Sequence, residues 1–263
     1  MKNLQDLALE FTNTFVDPDL TVFNPFEIPQ VRRLSITTTV HFVPDDLSPA
    51  LRRAIFSSLF FPGVIDLIVK LKASDCGECE DYFDDKYDRD FFFNKEINRI
   101  FRHIDQFPLV ESFCLDIFAP YSCYEDSIAH LEAYIPLNML PSLKRIVMKG
   151  NRGFDIKEPE HPDEIFYQEE AAVAPRISGD AFPLLDSVTL DLRIYCAAAC
   201  WIQEYLRRAR DRRSWNSSFK LIIGRKNSMG ILEGSYLGEK ALEWCSDLLN
   251  KYKDGGEYED FND

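Results

Sequence analysis

Long apolar runs, a cysteine framework and clustered histidines are what this 263-residue sequence lacks. No window approaches the roughly 18 uninterrupted apolar residues of a membrane-spanning helix. The opening residues Met1, Lys2, Asn3, Leu4, Gln5 and Asp6 hold no apolar stretch of signal-peptide length. The seven cysteines are odd in number and widely scattered. In a chain of this size that pattern fits reduced thiols and a cytoplasmic or nuclear protein, not a disulfide-stapled secreted one. Basic residues are in the minority, 30 Lys and Arg against 44 Asp and Glu, for a net charge of −14. A chain this acidic repels phosphate backbones, so neither nucleic acid nor a membrane is expected as a partner.

Catalytic signatures are missing as well. GxSxG, the Walker glycine-lysine loop, HExxH and GxGxxG do not occur. The four histidines, His41, His103, His130 and His161, stand far apart without a companion motif. His103, beside Arg102 and Ile104 in an expected helix, reads as a surface or packing residue. Cys76 and Cys79 have metal-ligand spacing, but zinc takes four ligands and no second CxxC supplies them. Cys196 and Cys200 flank three alanines on an expected helix, which suits packing. The acids of 75–90 lack the ordered EF-hand spacing with its central glycine. They and the acids of 155–170 read as solvated, and the acidic tail 254–263 as disordered. Arg207, Arg208, Arg210, Arg212 and Arg213 fall at the end of an expected helix, where cations suit the dipole. No catalytic residue, cofactor or metal site is therefore expected. A hydrolase or metal-dependent enzyme would need His and Cys residues to converge in space, which the sequence leaves open.

What the sequence does contain is a repeated phrase: Pro, any residue, Val or Leu, two residues, an apolar residue, one residue, an apolar residue. It occurs as Pro29-Val31-Leu34-Ile36, Pro62-Val64-Leu67-Val69, Pro108-Val110-Phe113-Leu115, Pro141-Leu143-Ile146-Met148 and Pro183-Leu185-Val188-Leu190. Leu4-Leu7-Leu9 is a copy without the proline, and Phe219-Leu221-Ile223 a degenerate one. The closing apolar residues alternate with period two and predict a short strand. A proline at a strand's entry costs no ladder hydrogen bond and stops a preceding helix.

Between the phrases lie stripes with helical spacing. Ser48 and Pro49 read as an N-cap and first helical residue ahead of Leu51, Ala54, Ile55 and Leu59. Further stripes are Ile97-Ile100-Phe101-Ile104, then Ile128-Leu131-Ile135, then Ala198-Trp201-Ile202-Tyr205, and last Ala241-Cys245-Leu248-Tyr252. Phe91, Phe92 and Phe93 at a helix start read as core, while the loop aromatics Tyr121 and Tyr124 offer a second candidate surface. The expected fold is an α/β leucine-rich-repeat solenoid, a right-handed β/α superhelix. It would run over 1–253 in six to seven irregular repeats with long acidic insertions and a capping helix at about 238–252.

The leading proline, loose spacing and aromatic-rich insertions resemble the leucine-rich-repeat region of fungal F-box-like proteins, over residues 2 to about 223. The resemblance implies a non-catalytic protein-binding module, with substrate recognition for an SCF-type ubiquitin ligase as its role. In that family an F-box of about forty residues docks on the ligase's adaptor subunit. Here the first phrase begins at Leu4, so an adaptor contact is expected only through an F-box outside this chain, and is assigned to no residue. A scaffold or effector unrelated to ubiquitin is the alternative.

In such a solenoid the in-between strand residues face the concave surface. The expected partner-binding residues are Asp6, Glu10, Arg33, Asp66, Lys70, Asp116, Arg145, Lys149 and Asp191. Both signs are present, which favours a specific protein over a uniform polyanion.

Overall fold

The computed structural model describes residues 4–11, 24–41, 54–74, 90–118, 131–151, 154–156, 183–192, 196–211, 216, 218–224 and 235–253. Each copy of the phrase ends in a strand. In chain order these are β1 (Asp6–Phe11), β3 (Arg33–His41), β5 (Asp66–Ser74), β6 (Ser112–Phe118), β8 (Arg145–Gly150), β10 (Ser187–Leu192) and β11 (Lys220–Ile223). They form one open seven-stranded sheet in the order β1-β3-β5-β6-β8-β10-β11. Every pairing in it is parallel. Spatial order follows chain order throughout, so among the described strands of this α/β fold the order reverses at no point. The crevice that binds nucleotides in doubly wound sheets arises at such a reversal.

The register carries the repeat without offset. Leu7, Leu34, Leu67, Phe113, Ile146, Val188 and Leu221 form one continuous row of paired residues. Leu9, Ile36, Val69, Leu115, Met148, Leu190 and Ile223 form the next row on the same face. In the second to sixth copies all three apolar positions of the phrase are buried. Leu4, Leu7 and Leu9 in the first copy, and Leu221 and Ile223 in the last, are only partly covered.

The proline does more than mark the strand's entry. Val64 N–H donates to the Phe61 carbonyl (3.2 Å), Val110 N–H to Phe107 (3.4 Å) and Leu143 N–H to Leu140 (3.1 Å). Each is a β-turn with proline at its second position, where a fixed φ near −65° is preset. The residue before each of these prolines, Phe61, Phe107 or Leu140, is fully buried. Neighbouring copies are tied by a belt of shared carbonyls. Gln5 O accepts from the N–H groups of Arg32 (2.7 Å) and Arg33 (3.0 Å), and Arg32 O from Ile65 (2.8 Å) and Asp66 (3.1 Å). The pattern continues through Ile65 O, Glu111 O and Lys144 O, and ends at Asp186 O, which among the described residues accepts from Lys220 N–H alone (2.9 Å).

Four shorter strands pair outside the main sheet. They are β2 (Phe26–Glu27) with β4 (Leu59–Phe60), and β7 (Leu131–Ala133) with β9 (Phe154–Ile156). Three helices are α1 (Asp90–Ile100), α2 (Cys196–Asp211) and α3 (Ser235–Lys253). Residues 54–58 add a short helical turn. Phe93, Ile97 and Ile100 of α1, Ala198, Ile202, Tyr205 and Leu206 of α2, and Cys245 and Leu248 of α3 join the phrase residues in one core. Among the described residues that core lies on one face of the main sheet. Inside it Glu96 is ion-paired with Arg99, and Gln106 Nε2 donates to the carbonyls of Phe56 (2.9 Å) and Leu59 (3.2 Å).

Several expectations need correction. The stripe at 128–135 is not a helix where it is described: Leu131 begins β7. Leu131, Ala133 and Ile135 also satisfy period two, and the strand reading prevails. Helix α1 stops at Ile100, so His103 and Ile104 lie in the following loop, His103 stacked on Phe60 at 5.5 Å. Leu59 belongs to β4, beyond the helical turn. Of the acidic stretch 155–170, Asp155 lies in β9 and 157–170 lie outside the described residues. Cys76, Cys79, Tyr121, Tyr124, His130, His161, Arg212, Arg213 and the tail 254–263 lie outside the described residues.

Candidate functional site: the open face of the parallel sheet

Because side chains alternate along a strand, burying one face of the sheet sends every intervening residue to the other. The parallel ladder stacks those residues into rows that cross the strands. The first row reads Asp6, Arg33, Asp66, Ser112, Arg145, Ser187, Lys220. Two residues on, the second reads Ala8, Ser35, Ile68, Cys114, Val147, Thr189, Ile222, with no charge in any strand. The third reads Glu10, Thr37, Lys70, Asp116, Lys149, Asp191. All nine residues expected on one surface, Asp6, Glu10, Arg33, Asp66, Lys70, Asp116, Arg145, Lys149 and Asp191, therefore share this face, four in the first row and five in the third.

The two charged rows differ in state. In the first, Arg33 pairs with Asp6 (3.4 Å) and Arg145 with Asp66 (3.8 Å). The Arg145–Asp66 pair bridges two strand steps, and the small Ser112 standing between them in register leaves the path clear. In the third row signs alternate across adjacent strands as Lys70, Asp116, Lys149, Asp191. Among the described residues no ion pair within 4.0 Å joins any of these four. At the edge of the face, Lys144 pairs with Glu111 at 2.7 Å and holds that carboxyl below the ordinary carboxylate range.

Cys114 lies in the uncharged second row. Burial is the main influence on its thiol and pushes its pKa up; Lys149 and Lys70 pull it down, and Asp116 and Asp191 add to the rise. A thiol held protonated is a poor nucleophile. Cys245, buried between α2 and α3, is pushed up to about 12, again chiefly by burial. Among the described residues no group of three or more His, Cys, Asp or Glu is placed to hold a metal ion. None of the described helices is long and apolar enough to cross a membrane.

The sequence reading stopped short at three positions on this face. Lys72 and Phe118, paired in register one step beyond the third row, continue the alternation of β5 and β6, and Phe118 is 48% exposed. Lys220 completes the first row at β11. Lys72 and Phe118 follow from counting two residues further along strands already recognised, and Lys220 from placing the residue before Leu221 of the degenerate phrase in the same row as Asp6 before Leu7. The arginine cluster is partly engaged within α2 and with α3: Glu204 pairs with Arg207 (3.0 Å) and Arg208 (2.9 Å), and Arg207 lies 5.8 Å over the Trp244 ring. No family model, curated protein or solved structure matches the chain.

Proposed function

We propose that this chain is a leucine-rich-repeat solenoid and a non-catalytic interaction module, holding another protein on a concave open sheet face. The observation that carries the reading is the row structure. One uninterrupted parallel sheet in chain order presents charged residues of both signs in register over seven strands, with acids and bases nearly balanced in a chain of net charge −14. Rigid strands fix such side chains at low entropic cost, which suits recognition of a partner with a complementary charge pattern. By its resemblance to fungal F-box-like proteins, the specific role is to hold a substrate for an SCF-type ubiquitin ligase in the cytoplasm or nucleus.

The test is affinity capture of partners from cells that express the protein, with mass spectrometry of what is retained. Recovery of adaptor and cullin subunits supports the ligase role. A reproducible partner without them marks a scaffold unrelated to ubiquitin. Combined Arg33→Glu, Arg145→Glu and Lys149→Glu substitutions, with folding checked by circular dichroism, are expected to release the partner. Retention unchanged by that triple reversal would remove the open face from the reading.

A further inference from the structure

The three rows make a shallow trough across the strands. Its floor is uncharged, with Ile68, Cys114, Val147 and Thr189 on the four central strands. Its walls are the charged first and third rows, four residues apart along each strand, or about 13 Å. An α-helix is about 10 Å across with its side chains and fits that width. The wall formed by Asp6, Arg33, Asp66 and Arg145 is neutralised by its own ion pairs. The opposite wall, Lys70, Asp116, Lys149 and Asp191, alternates in sign without such pairs among the described residues.

Spacing discriminates between kinds of occupant. Successive strands are about 4.8 Å apart, so the four charges fall at about 0, 4.8, 9.6 and 14.4 Å. Helical residues at i, i+3, i+7 and i+10 share one flank and fall at about 0, 4.5, 10.5 and 15 Å, within about 1 Å of each charge. Same-face residues of an extended strand fall every 6.6 Å or so and reach about 20 Å at the fourth, a whole strand out of step.

We propose that the trough takes an amphipathic α-helix of a partner protein, laid across β5, β6, β8 and β10, with acid, base, acid and base at i, i+3, i+7 and i+10 against Lys70, Asp116, Lys149 and Asp191. Its apolar stripe rests on Ile68 and Val147. The inference rests on the open face being the protein-binding surface and adds the shape and charge order of what binds. A helix laid in the opposite direction meets the same charges with base first, so alternation, not polarity, is the signature.

The experiment titrates the full chain with lactam-stapled helical peptides carrying two Glu and two Lys at those four positions in every order, on a constant apolar stripe. The alternating orders are expected to bind at least about tenfold more tightly than Glu-Glu-Lys-Lys or Glu-Lys-Lys-Glu. Lys70→Glu combined with Asp116→Lys preserves the net charge, and is expected to move the preference to Lys-Glu-Glu-Lys. Equal binding of all orders, no binding, or an unmoved preference in the double variant overturns the helix. If in that case Lys149→Glu still releases the captured partner, the face binds protein of another shape. If it does not, the functional reading falls with it.

Discussion

At Gly63 an added Cβ would stand 2.1 Å from the Pro29 carbonyl oxygen, a backbone atom that cannot swing aside. This glycine lies within the proline turn of the second full phrase, where it packs against the backbone of the preceding copy at Pro29 and Val31. Gly63→Ala is expected to lower the unfolding free energy by about 1–3 kcal/mol, measured by urea denaturation; an unchanged midpoint would mean the turn shifts freely. Tyr205 illustrates a different dependence. Its hydroxyl accepts from Leu185 N–H (2.8 Å) and donates to the Pro183 carbonyl (3.0 Å), which fastens α2 to the entry of β10. Burial raises its pKa from 10.0 to about 12. A phenol raised in the folded state contributes its full stability below its unfolded value and loses it as pH climbs through the folded one. Stability should thus fall between about pH 10 and 12, with the buried Cys245 thiol beginning the decline nearer its ordinary value of 9.0. Tyr205→Phe is expected to cost about 1–3 kcal/mol at neutral pH, because the Leu185 N–H loses its partner. It should also make the alkaline decline shallower. Denaturant melts of both proteins across that pH range check the two effects together, and parallel curves would remove Tyr205 as a source of the slope.

Among elements, coverage rises from the edges of the sheet inward. Leu67 in β5 and Phe113 in β6 are buried, while Leu7 in β1 and Leu221 in β11 are partly open. Leu67→Ala is expected to cost about 2–5 kcal/mol and Leu7→Ala about half as much. Hydrogen exchange should find the slowest amides in β5, β6 and β8 and the fastest in β1 and β11; uniform protection across the sheet would contradict this gradient. The central strands were legible in the sequence because one phrase dictates three buried positions per copy. Once parallel pairing holds the copies in register, the nine face residues follow from simple alternation. The small strands were not legible. At two or three residues, β2, β4, β7 and β9 are too short to show a period, and Leu131 and Ile135, four apart, fit the helical period as well as the strand one. The Arg145–Asp66 pair was hidden for another reason, since it spans two strand steps and depends on Ser112 being small.

For the whole molecule, the net charge of −14 sets electrostatic repulsion against a set of local attractions. The face pairs are weak. Arg33–Asp6 and Arg145–Asp66 are exposed at 3.4 and 3.8 Å, and such pairs contribute about 0–1 kcal/mol each. Repulsion summed over an excess of fourteen acids extends further and is relieved by screening. Raising NaCl from about 0.01 to about 0.15 M shortens the screening length from about 30 Å to about 8 Å. The melting temperature is therefore expected to rise over that range, followed by differential scanning fluorimetry. A fall would mean that local attraction outweighs the repulsion. Binding of an alternating-charge helix to Lys70, Asp116, Lys149 and Asp191 should respond in the opposite sense, because its selectivity comes from attractions that salt weakens. Salt should then stabilise the fold and loosen the complex at once. Measuring both in the same buffers separates the mechanisms: a complex that tightened with salt would be held by its apolar floor, and the charged wall would contribute nothing to the choice of partner.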